Sequence, residues 1–209
     1  MADLAALTAA VEAGDRNAAV ARTREAMAAD AAPRAILDAM TTAMASVGLR
    51  FSRNEIYVPE MLISARAMKE SMALLEPVLV NAGIRPEHRA VLGTVKGDLH
   101  DIGKNLVAMM WKGANFEVVD LGVNVAPERF VEAVRSHDAK LVGVSALLTT
   151  TMVAMREVVE AVRASCPGTR VVIGGAPVTA EFAASIGADG YAPDAATAVE
   201  VALEVLGAT

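Results

Sequence analysis

The sequence predicts an α/β protein in two parts, a helical bundle followed by a doubly wound parallel sheet. Up to about residue 80, apolar residues recur at the three- and four-residue spacing of amphipathic helices. After a polar, turn-rich segment, short apolar runs alternate with helical stretches five times. Repeated strand–helix units require a parallel sheet that carries helices on both faces. We therefore predict a four-helix bundle over 1–82, a linker over 83–88 and an α/β domain over 89–209.

The composition indicates a folded protein and excludes several functions. Of the 209 residues, 54% are apolar and 21% are charged, which is typical of globular chains. The net charge of −6 and the lack of a basic cluster argue against a nucleic-acid partner. A single cysteine, Cys166, excludes an internal disulfide and a multi-cysteine metal site. No run of 18 apolar residues and no basic signal-peptide region occur, so we expect a cytoplasmic protein without a membrane partner.

Helix start and stop signals divide the bundle into four segments. Gly14 ends the first segment, and Asp15 can cap a second helix at about 15–29. Pro33 starts the third segment and Pro59 the fourth, because proline is tolerated in a first helical turn. Methionine recurs along both of these helices. We interpret it as core packing and not as a soft-metal site, since no histidine precedes residue 88.

The second half predicts five strands in a flavodoxin-like sheet. The apolar runs that read as strands lie at 90–95, 116–122, 141–147, 170–175 and 190–193. The helical stretches lie near 102–114, 127–137, 151–165, 178–186 and 195–206. Right-handed crossovers then favour the strand order 2-1-3-4-5. Ligands of such folds bind beyond the carboxyl ends of the strands, between the first and third.

Three loops rich in glycine, serine or threonine meet at that edge. The first is contained in GTVKGDLHDIG at 93–103, the second is SALLTTT at 145–151, and the third is GGAP at 174–177. The glycine spacing of the first loop matches neither a dinucleotide fingerprint nor a P-loop. The feature that needs explanation is therefore His100, which stands between two aspartates.

The residues leave three roles open for His100. Asp98 could orient it as a catalytic base for Ser145 or Thr151, but no G-x-S-x-G elbow is present. It could be a structural residue of the turn. It could also be a metal ligand, with Asp98 on its other ring nitrogen to fix the tautomer. One histidine cannot build a metal site, but it can be an axial ligand to a metal that a macrocycle already holds.

These motifs resemble those of a known family. Asp98-Leu-His100-Asp-Ile-Gly103 is similar to the D-x-H-x-x-G signature of cobalamin-binding domains, and the family's S-x-L and Gly-Gly motifs match Ser145-Ala-Leu147 and Gly174-Gly175. The segment YVPEMLISARAMK at 57–69 resembles the helical cap that precedes this domain in methionine synthase and in corrinoid proteins of methyltransferase systems. The resemblance covers nearly the whole chain, with the cap at 1–82 and a cobalamin-binding Rossmann-like domain at 89–209.

The resemblance implies a set of site residues. His100 would replace the cofactor's own base as lower ligand of cobalt, and Asp98 and Thr151 would form a proton relay with it, Thr151 standing where methionine synthase has serine. Gly103 would let the displaced nucleotide tail pass at close range. The positions that correspond to cofactor contacts are Asp98, His100, Asp101, Ile102, Gly103, Ser145, Leu147, Thr149, Gly174, Gly175 and Ala195.

Other positions correspond to the upper face of the cofactor or have no derivable role. Phe51 and Val58 would cover the methyl group from the cap. Leu37 stands where methionine synthase has a glutamate near the upper ligand. For Asp101 the residues suggest only a solvated or helix-capping position.

The resemblance also implies a function. The protein would be a corrinoid methyl carrier, alternating between cob(I)alamin and methylcobalamin. Its partners would be a donor-specific methyltransferase, an acceptor methyltransferase that uses tetrahydrofolate or a thiol, and a reductive activator. Segment 81–88 is a candidate hinge, because the cap must move at each transfer.

Two alternative functions share the signature. The small subunit of an adenosylcobalamin mutase carries D-x-H-x-x-G but usually lacks a helical cap. A cobalamin-dependent sensor or regulator has tryptophan and histidine in its bundle, whereas the only tryptophan here, Trp111, lies outside the bundle.

Overall fold

The computed structural model describes residues 2–207, which form two compact units. One unit extends to Pro86 and includes Gly113–Asn115, and the other consists of Glu87–Lys112 and the chain from Phe116 onward. The predicted domains also include residues 1, 208 and 209, which lie outside the described part of the chain.

Four of the described helices form the bundle of the first unit, as the sequence predicts. They are α1 (Leu4–Glu12), α2 (Arg16–Ala28), α3 (Pro33–Ser52) and α4 (Val58–Asn81). Helices α1 and α4 each pack mainly against α2 and α3. Asp3 and Asp15 accept hydrogen bonds from backbone N–H groups in the first turns of α1 and α2 and so cap them.

The interior of the bundle is aliphatic and rich in methionine. The buried side chains of α3 and α4 include Leu37, Met40, Met44, Met61 and Met68. The interpretation of the methionines as core residues is therefore confirmed. None of the helices in residues 2–207 is long and apolar enough to cross a membrane.

The second unit contains a five-stranded parallel sheet in its described residues. The strands are β1 (His88–Thr94), β2 (Phe116–Asp120), β3 (Leu141–Ser145), β4 (Arg170–Gly174) and β5 (Gly190–Ala192). The helices are α5 (Ile102–Gly113), α6 (Pro127–His137), α7 (Met152–Ser165), α8 (Ala180–Ile186) and α9 (Thr197–Leu206). The strand order is β2-β1-β3-β4-β5, so the predicted flavodoxin-like fold is confirmed.

The register of the three central strands brings their following loops together. Thr94 at the end of β1 pairs with Ser145 at the end of β3, and Ser145 pairs with Gly174 at the end of β4. The loops after these strands therefore begin at the same level of the sheet.

Strands β2 and β3 end two residues earlier than the sequence predicts. After β2, the Asp120 carboxylate accepts a hydrogen bond from the Gly122 N–H, and Gly122 has a φ of +81°, so the chain turns away from the strand. After β3, the N–H groups of Leu147 and Leu148 donate to the Asp98 carboxylate and not to a neighbouring strand. At β3 the Asp98 carboxylate takes the place of a ladder partner, whereas the edge strand β2 ends at the turn that Asp120 and Gly122 form.

Candidate functional site

The loop after β1 is a tight turn that buries Asp98 and exposes His100. Gly97 has a φ of +85°, which an L side chain rarely adopts. The buried Thr94 hydroxyl donates a 2.9 Å hydrogen bond to the His100 carbonyl oxygen and closes the turn from inside. Asp98 is completely buried, whereas about half of the His100 side chain remains exposed.

The Asp98 carboxylate is the centre of the site. One oxygen, Oδ1, lies 2.7 Å from Nδ1 of His100 and accepts the His100 backbone N–H at 3.1 Å. The other, Oδ2, accepts the backbone N–H groups of Leu147 at 2.8 Å and Leu148 at 3.3 Å. The Thr151 hydroxyl donates to Oδ2 at 2.8 Å. One side chain therefore connects the histidine with the loop after β3.

These contacts determine the charge of Asp98. Burial alone would raise the pKa of its carboxyl group, but the hydrogen bonds from Leu147, His100 and Thr151 outweigh that effect and hold the pKa well below its usual value. Asp98 is therefore a carboxylate at neutral pH and can only accept hydrogen bonds. Nδ1 of His100 must carry the proton, so the lone pair of Nε2 is available to a metal ion.

Thr151 lies between two acceptors. Its hydroxyl oxygen is 2.8 Å from Oδ2 of Asp98 and also 2.8 Å from the carbonyl oxygen of Leu148. A hydroxyl group has one proton to donate, and a carboxylate is the stronger acceptor of the two. The hydroxyl therefore extends the hydrogen-bonded chain from His100 through Asp98 to a third residue, and the role of this chain as a proton relay stays a prediction.

Gly103 leaves room beside this chain. A Cβ atom built on Gly103 would meet no other atom within 4 Å, and the backbone there is not left-handed. Neither packing nor conformation within the protein therefore requires glycine at this position. The open space is what a ligand that passes close to the backbone needs, so the residues fit the nucleotide tail of a corrinoid.

Gly174 and Gly175, unlike Gly103, have no room for a side chain. A Cβ atom on Gly174 would lie 2.7 Å from the carbonyl oxygen of Ala192, and one on Gly175 would lie 1.9 Å from that of Ala146. Gly175 also has a φ of +136°. The close approach of neighbouring backbone segments is by itself enough to require glycine at both positions.

A set of exposed apolar side chains surrounds the histidine loop and the loop after β3. We call it the apolar rim, and it consists of Leu99, Ile102, Leu147, Leu148 and Val153, which are between 41% and 76% exposed. Large apolar side chains that cluster in contact with water usually mark a binding surface. The sequence reasoning missed Leu99, Leu148 and Val153. The available signal was the presence of bulky apolar residues inside otherwise polar loops.

The remaining predicted residues lie in several places. Ser145 ends β3, Thr149 is exposed in a single 3-10 turn that leads into α7, and Ala195 is buried just before α9. Phe51 and Val58 are half-buried residues of α3 and α4 in the first unit, and their role toward a cofactor stays a prediction.

Asp101 has a structural partner. Its carboxylate accepts a hydrogen bond from the Asn105 side-chain amide at 3.0 Å, and its carbonyl oxygen accepts the Asn105 N–H at 2.8 Å. It therefore stabilises the first turn of α5. In residues 2–207, no group of three or more His, Cys, Asp or Glu side chains is arranged to hold a metal ion.

Comparison with known proteins defines the class of the protein. A family model described as the B12 binding domain matches residues 88–200, and a second model with the same description matches residues 4–76. Together with the parallel sheet and the pairing of half-exposed His100 with buried Asp98, these matches define a cobalamin-binding protein.

Individual relatives show which kind of cobalamin-binding protein this chain resembles. The chain is 40% identical over 166 residues to a corrinoid protein of Desulfitobacterium hafniense, covering 77% of each chain. It is 39% identical over 181 residues to dimethylamine corrinoid protein 3 of Methanosarcina acetivorans, covering 85% of each. The structure also matches the methanol:cobalamin methyltransferase complex MtaBC of Methanosarcina barkeri, with a TM-score of 0.85 and 28% identity over 99% of this chain and 80% of that chain. The protein belongs to the cobalamin-binding corrinoid proteins of methyltransferase systems.

Proposed function

We propose that the protein is a methyl carrier that receives a methyl group from a donor methyltransferase and delivers it to an acceptor methyltransferase. The observation that carries this proposal is the hydrogen-bonded chain of His100, Asp98 and Thr151 beside the open space at Gly103. When cobalamin is bound, its cobalt supplies the atom that takes up and releases the methyl group.

His100 is proposed as the lower cobalt ligand. Asp98 orients the ring through Nδ1, so Nε2 would be the nitrogen available to hold the metal. When Nε2 does not bind cobalt, its lone pair can accept a hydrogen bond, and Asp98 still orients the ring through Nδ1. The Thr151 hydroxyl keeps its hydrogen bond to Asp98 in both situations and holds the carboxylate in place.

The surrounding residues would hold the rest of the cofactor. The apolar rim offers a surface for the macrocycle, and the space at Gly103 admits the displaced nucleotide tail. The further positions proposed for the tail's slot, at the carboxyl ends of β3 and β4 and before α9, are Ser145, Leu147, Thr149, Gly174, Gly175 and Ala195. Phe51 and Val58 are proposed to cover the methyl group.

The partners are proposed from the relatives. One similar structure is a methyltransferase complex named for methanol and cobalamin, and one relative is named a dimethylamine corrinoid protein. Both support a donor methyltransferase as the first partner and make dimethylamine and methanol the first donors to test. An acceptor methyltransferase that uses tetrahydrofolate or a thiol, and a reductive activator, complete the proposed cycle.

Reconstitution with hydroxocobalamin tests the ligand assignment. We expect the protein to retain the cofactor and to show the visible spectrum of imidazole-ligated cobalt. His100→Ala should shift the spectrum to that of cobalt without a nitrogen ligand. The control is His137→Ala, which removes an exposed histidine at the end of α6. An identical spectrum in wild type and His100→Ala would show that His100 does not bind cobalt.

Transfer assays test the carrier role. The loaded and reduced protein is mixed with a dimethylamine- or methanol-specific methyltransferase and its methyl donor, and the visible spectrum is followed. We expect the spectrum to change only when both the enzyme and the donor are present. Activity that requires an adenosyl cofactor and no methyltransferase would support a mutase subunit and overturn the carrier role.

A further inference from the structure

The histidine loop is held on its β2 side by a second group of polar side chains. We call Lys104, Asp120 and Asn124 the β2-side network. Lys104 lies in the first turn of α5, Asp120 ends β2, and Asn124 lies in the loop between β2 and α6. None of the three belongs to the chain of His100, Asp98 and Thr151.

Lys104 is the buried member of the network. Only 2% of its side chain is exposed, and its Nζ lies 2.5 Å from Oδ2 and 2.7 Å from Oδ1 of Asp120. Nζ also donates to the side-chain oxygen of Asn105 at 2.7 Å. Burying an ammonium group is unfavourable unless it is paired and hydrogen-bonded, and here it has three acceptors. The pair therefore ties the start of α5 firmly to the end of β2.

Asp120 also holds the loop between β2 and α6 through a hydrogen bond to its backbone. Its Oδ1 accepts the Gly122 N–H at 2.9 Å in addition to the lysine. Gly122 and Asn124 have φ values of +81° and +55°, so the loop turns back toward β1. The Thr94 N–H donates to the Gly122 carbonyl oxygen at 3.0 Å, which fixes the loop beside the end of β1.

Asn124 makes the contacts with the histidine loop. Its side-chain oxygen accepts the Gly97 N–H at 2.8 Å, and its own N–H donates to the Asp98 carbonyl oxygen at 3.0 Å. The backbone on both sides of the Gly97–Asp98 peptide is thus held by one residue. Leu147 and Thr151 hold the Asp98 carboxylate from the β3 side, so the segment that carries His100 is fixed on two sides.

The ion pair of the buried Lys104 with Asp120 joins α5 to β2 and is separate from the pairing of β1 with β2. Strands β1 and β2 are joined by a separate, exposed pair between Arg89 and Glu117 near their amino ends, at 2.9 Å. The Lys104–Asp120 pair stands at the opposite end of β2, and Lys104 follows His100 by four residues in the chain. The ion pair is therefore placed where it can hold the histidine loop in position.

We infer that Lys104, Asp120 and Asn124 are positioning residues that set the orientation of His100 and thereby the fraction of protein in which His100 binds cobalt. This inference rests on the proposed function, since it requires His100 to be the lower ligand. Loss of an outer partner of a metal-binding histidine typically lowers metal affinity by about 10- to 100-fold. We expect about a tenfold fall in the ratio of ligated to unligated His100 when the network is broken.

The test uses four variants of the full-length protein loaded with hydroxocobalamin and reduced to the Co(II) state. Asn124→Gly removes the acceptor for Gly97 but tolerates the left-handed backbone, and Asn124→Asp restores an acceptor. Asp120→Asn removes the charge that pairs with Lys104. Glu117→Gln is the matched control, because it makes the same change of carboxylate to amide in the exposed pair of the same strand.

The readout is the nitrogen superhyperfine splitting in the EPR spectrum, which reports the axial imidazole. We expect Asn124→Gly and Asp120→Asn to lower the ligated fraction, and Asn124→Asp and Glu117→Gln to leave it unchanged. Amide hydrogen exchange at Gly97 in the apoprotein should become faster in Asn124→Gly.

Two outcomes would count against the inference in different ways. If Asn124→Gly lowers the melting temperature but not the ligated fraction, the network only stabilises the loop and the inference is wrong. This variant decides the question even if Asp120→Asn does not fold, since it leaves the ion pair intact. If the wild type shows no nitrogen splitting, or His100→Ala keeps it, the proposed function itself fails.

Discussion

The backbone N–H of Leu147 donates a 2.8 Å hydrogen bond to the carboxylate of Asp98, a residue 49 positions earlier in the chain. This bond joins the loop after β1 to the loop after β3, on either side of the point where the strand order reverses. The same carboxylate orients the His100 ring. One buried group therefore stabilises the apoprotein and positions the proposed cobalt ligand.

Replacing Asp98 by asparagine should affect both properties. An amide has a single acceptor oxygen, so it cannot serve the donors on both sides of the carboxylate, and buried donors lose their partner. We expect the free energy of unfolding of the apoprotein to fall by about 2 to 4 kcal/mol, because each hydrogen bond to a buried charge contributes about 1.5 to 3 kcal/mol. Urea denaturation measures this change.

The control for that prediction is Asp101→Asn. Asp101 is exposed, and an asparagine there keeps an oxygen for the Asn105 amide, so the change in unfolding free energy should stay within about 0.5 kcal/mol. Equal effects of the two substitutions would contradict the special role of Asp98.

The low pKa of Asp98 predicts how stability depends on pH. The pKa of this group is lower in the folded than in the unfolded protein, where it should lie near the ordinary value of 3.8. Its contribution to stability is therefore complete above that value and is lost as the pH falls through the folded pKa. The difference in unfolding free energy between wild type and Asp98→Asn should be constant from pH 7 to about pH 5 and should shrink below about pH 4. Urea denaturation of both proteins at each pH measures the difference. A difference that grows on acidification would be inconsistent with a depressed pKa.

Thr151 should be replaceable by serine but not by valine. Valine has nearly the same shape without the hydroxyl, so the Asp98 carboxylate loses one of its donors. We expect Thr151→Val to lower the free energy of unfolding by about 1 to 2 kcal/mol, and Thr151→Ser to have a smaller effect. Thermal denaturation, with the visible spectrum of the reconstituted protein, provides the measurement. If serine and valine had the same effect, the hydroxyl would be irrelevant and only the methyl group would matter.

Gly103→Ala should separate cofactor binding from folding. The added methyl group would enter open space, and alanine favours helix over glycine by about 0.5 to 1 kcal/mol, so the apoprotein should be as stable as wild type or slightly more stable. Retention of cobalamin after gel filtration should fall, because the methyl group occupies the space proposed for the nucleotide tail.

Gly175→Ala provides the contrast, since its methyl group would collide with the carbonyl oxygen of Ala146 and should destabilise the apoprotein itself. Undiminished cobalamin retention by Gly103→Ala would place the tail elsewhere.

The sequence predicts the fold and the centre of the site because both depend on local patterns. Strand–helix alternation determines a parallel sheet, and the carboxyl ends of its strands bring Asp98 and Thr151 to one edge, where the structure joins them. Asp98 and His100 are only two positions apart in the chain. Their spacing in the signature therefore already allows a hydrogen bond between them to be predicted.

The parts that could not be predicted depend on distant contacts. A lysine in a first helical turn is usually solvated, and only the approach of Asp120 across the sheet edge explains why Lys104 is buried. Asn124 lies in a loop that contains no recognisable sequence motif. Its backbone is left-handed, and in this conformation its side-chain oxygen accepts a hydrogen bond from the Gly97 N–H. The early end of β3 has the same origin, since the Leu147 N–H bonds to Asp98, 49 positions away in the chain.

The apolar rim around His100 also has a consequence for the behaviour of the apoprotein in solution. Side chains such as Leu99, Ile102 and Val153 are in contact with water in the apoprotein, and each is more than 60% exposed. Such a surface lowers colloidal stability, because two copies can shield their rims against each other. We therefore expect concentrated apoprotein to self-associate, and we expect a corrinoid bound at the rim, as proposed, to reduce that self-association.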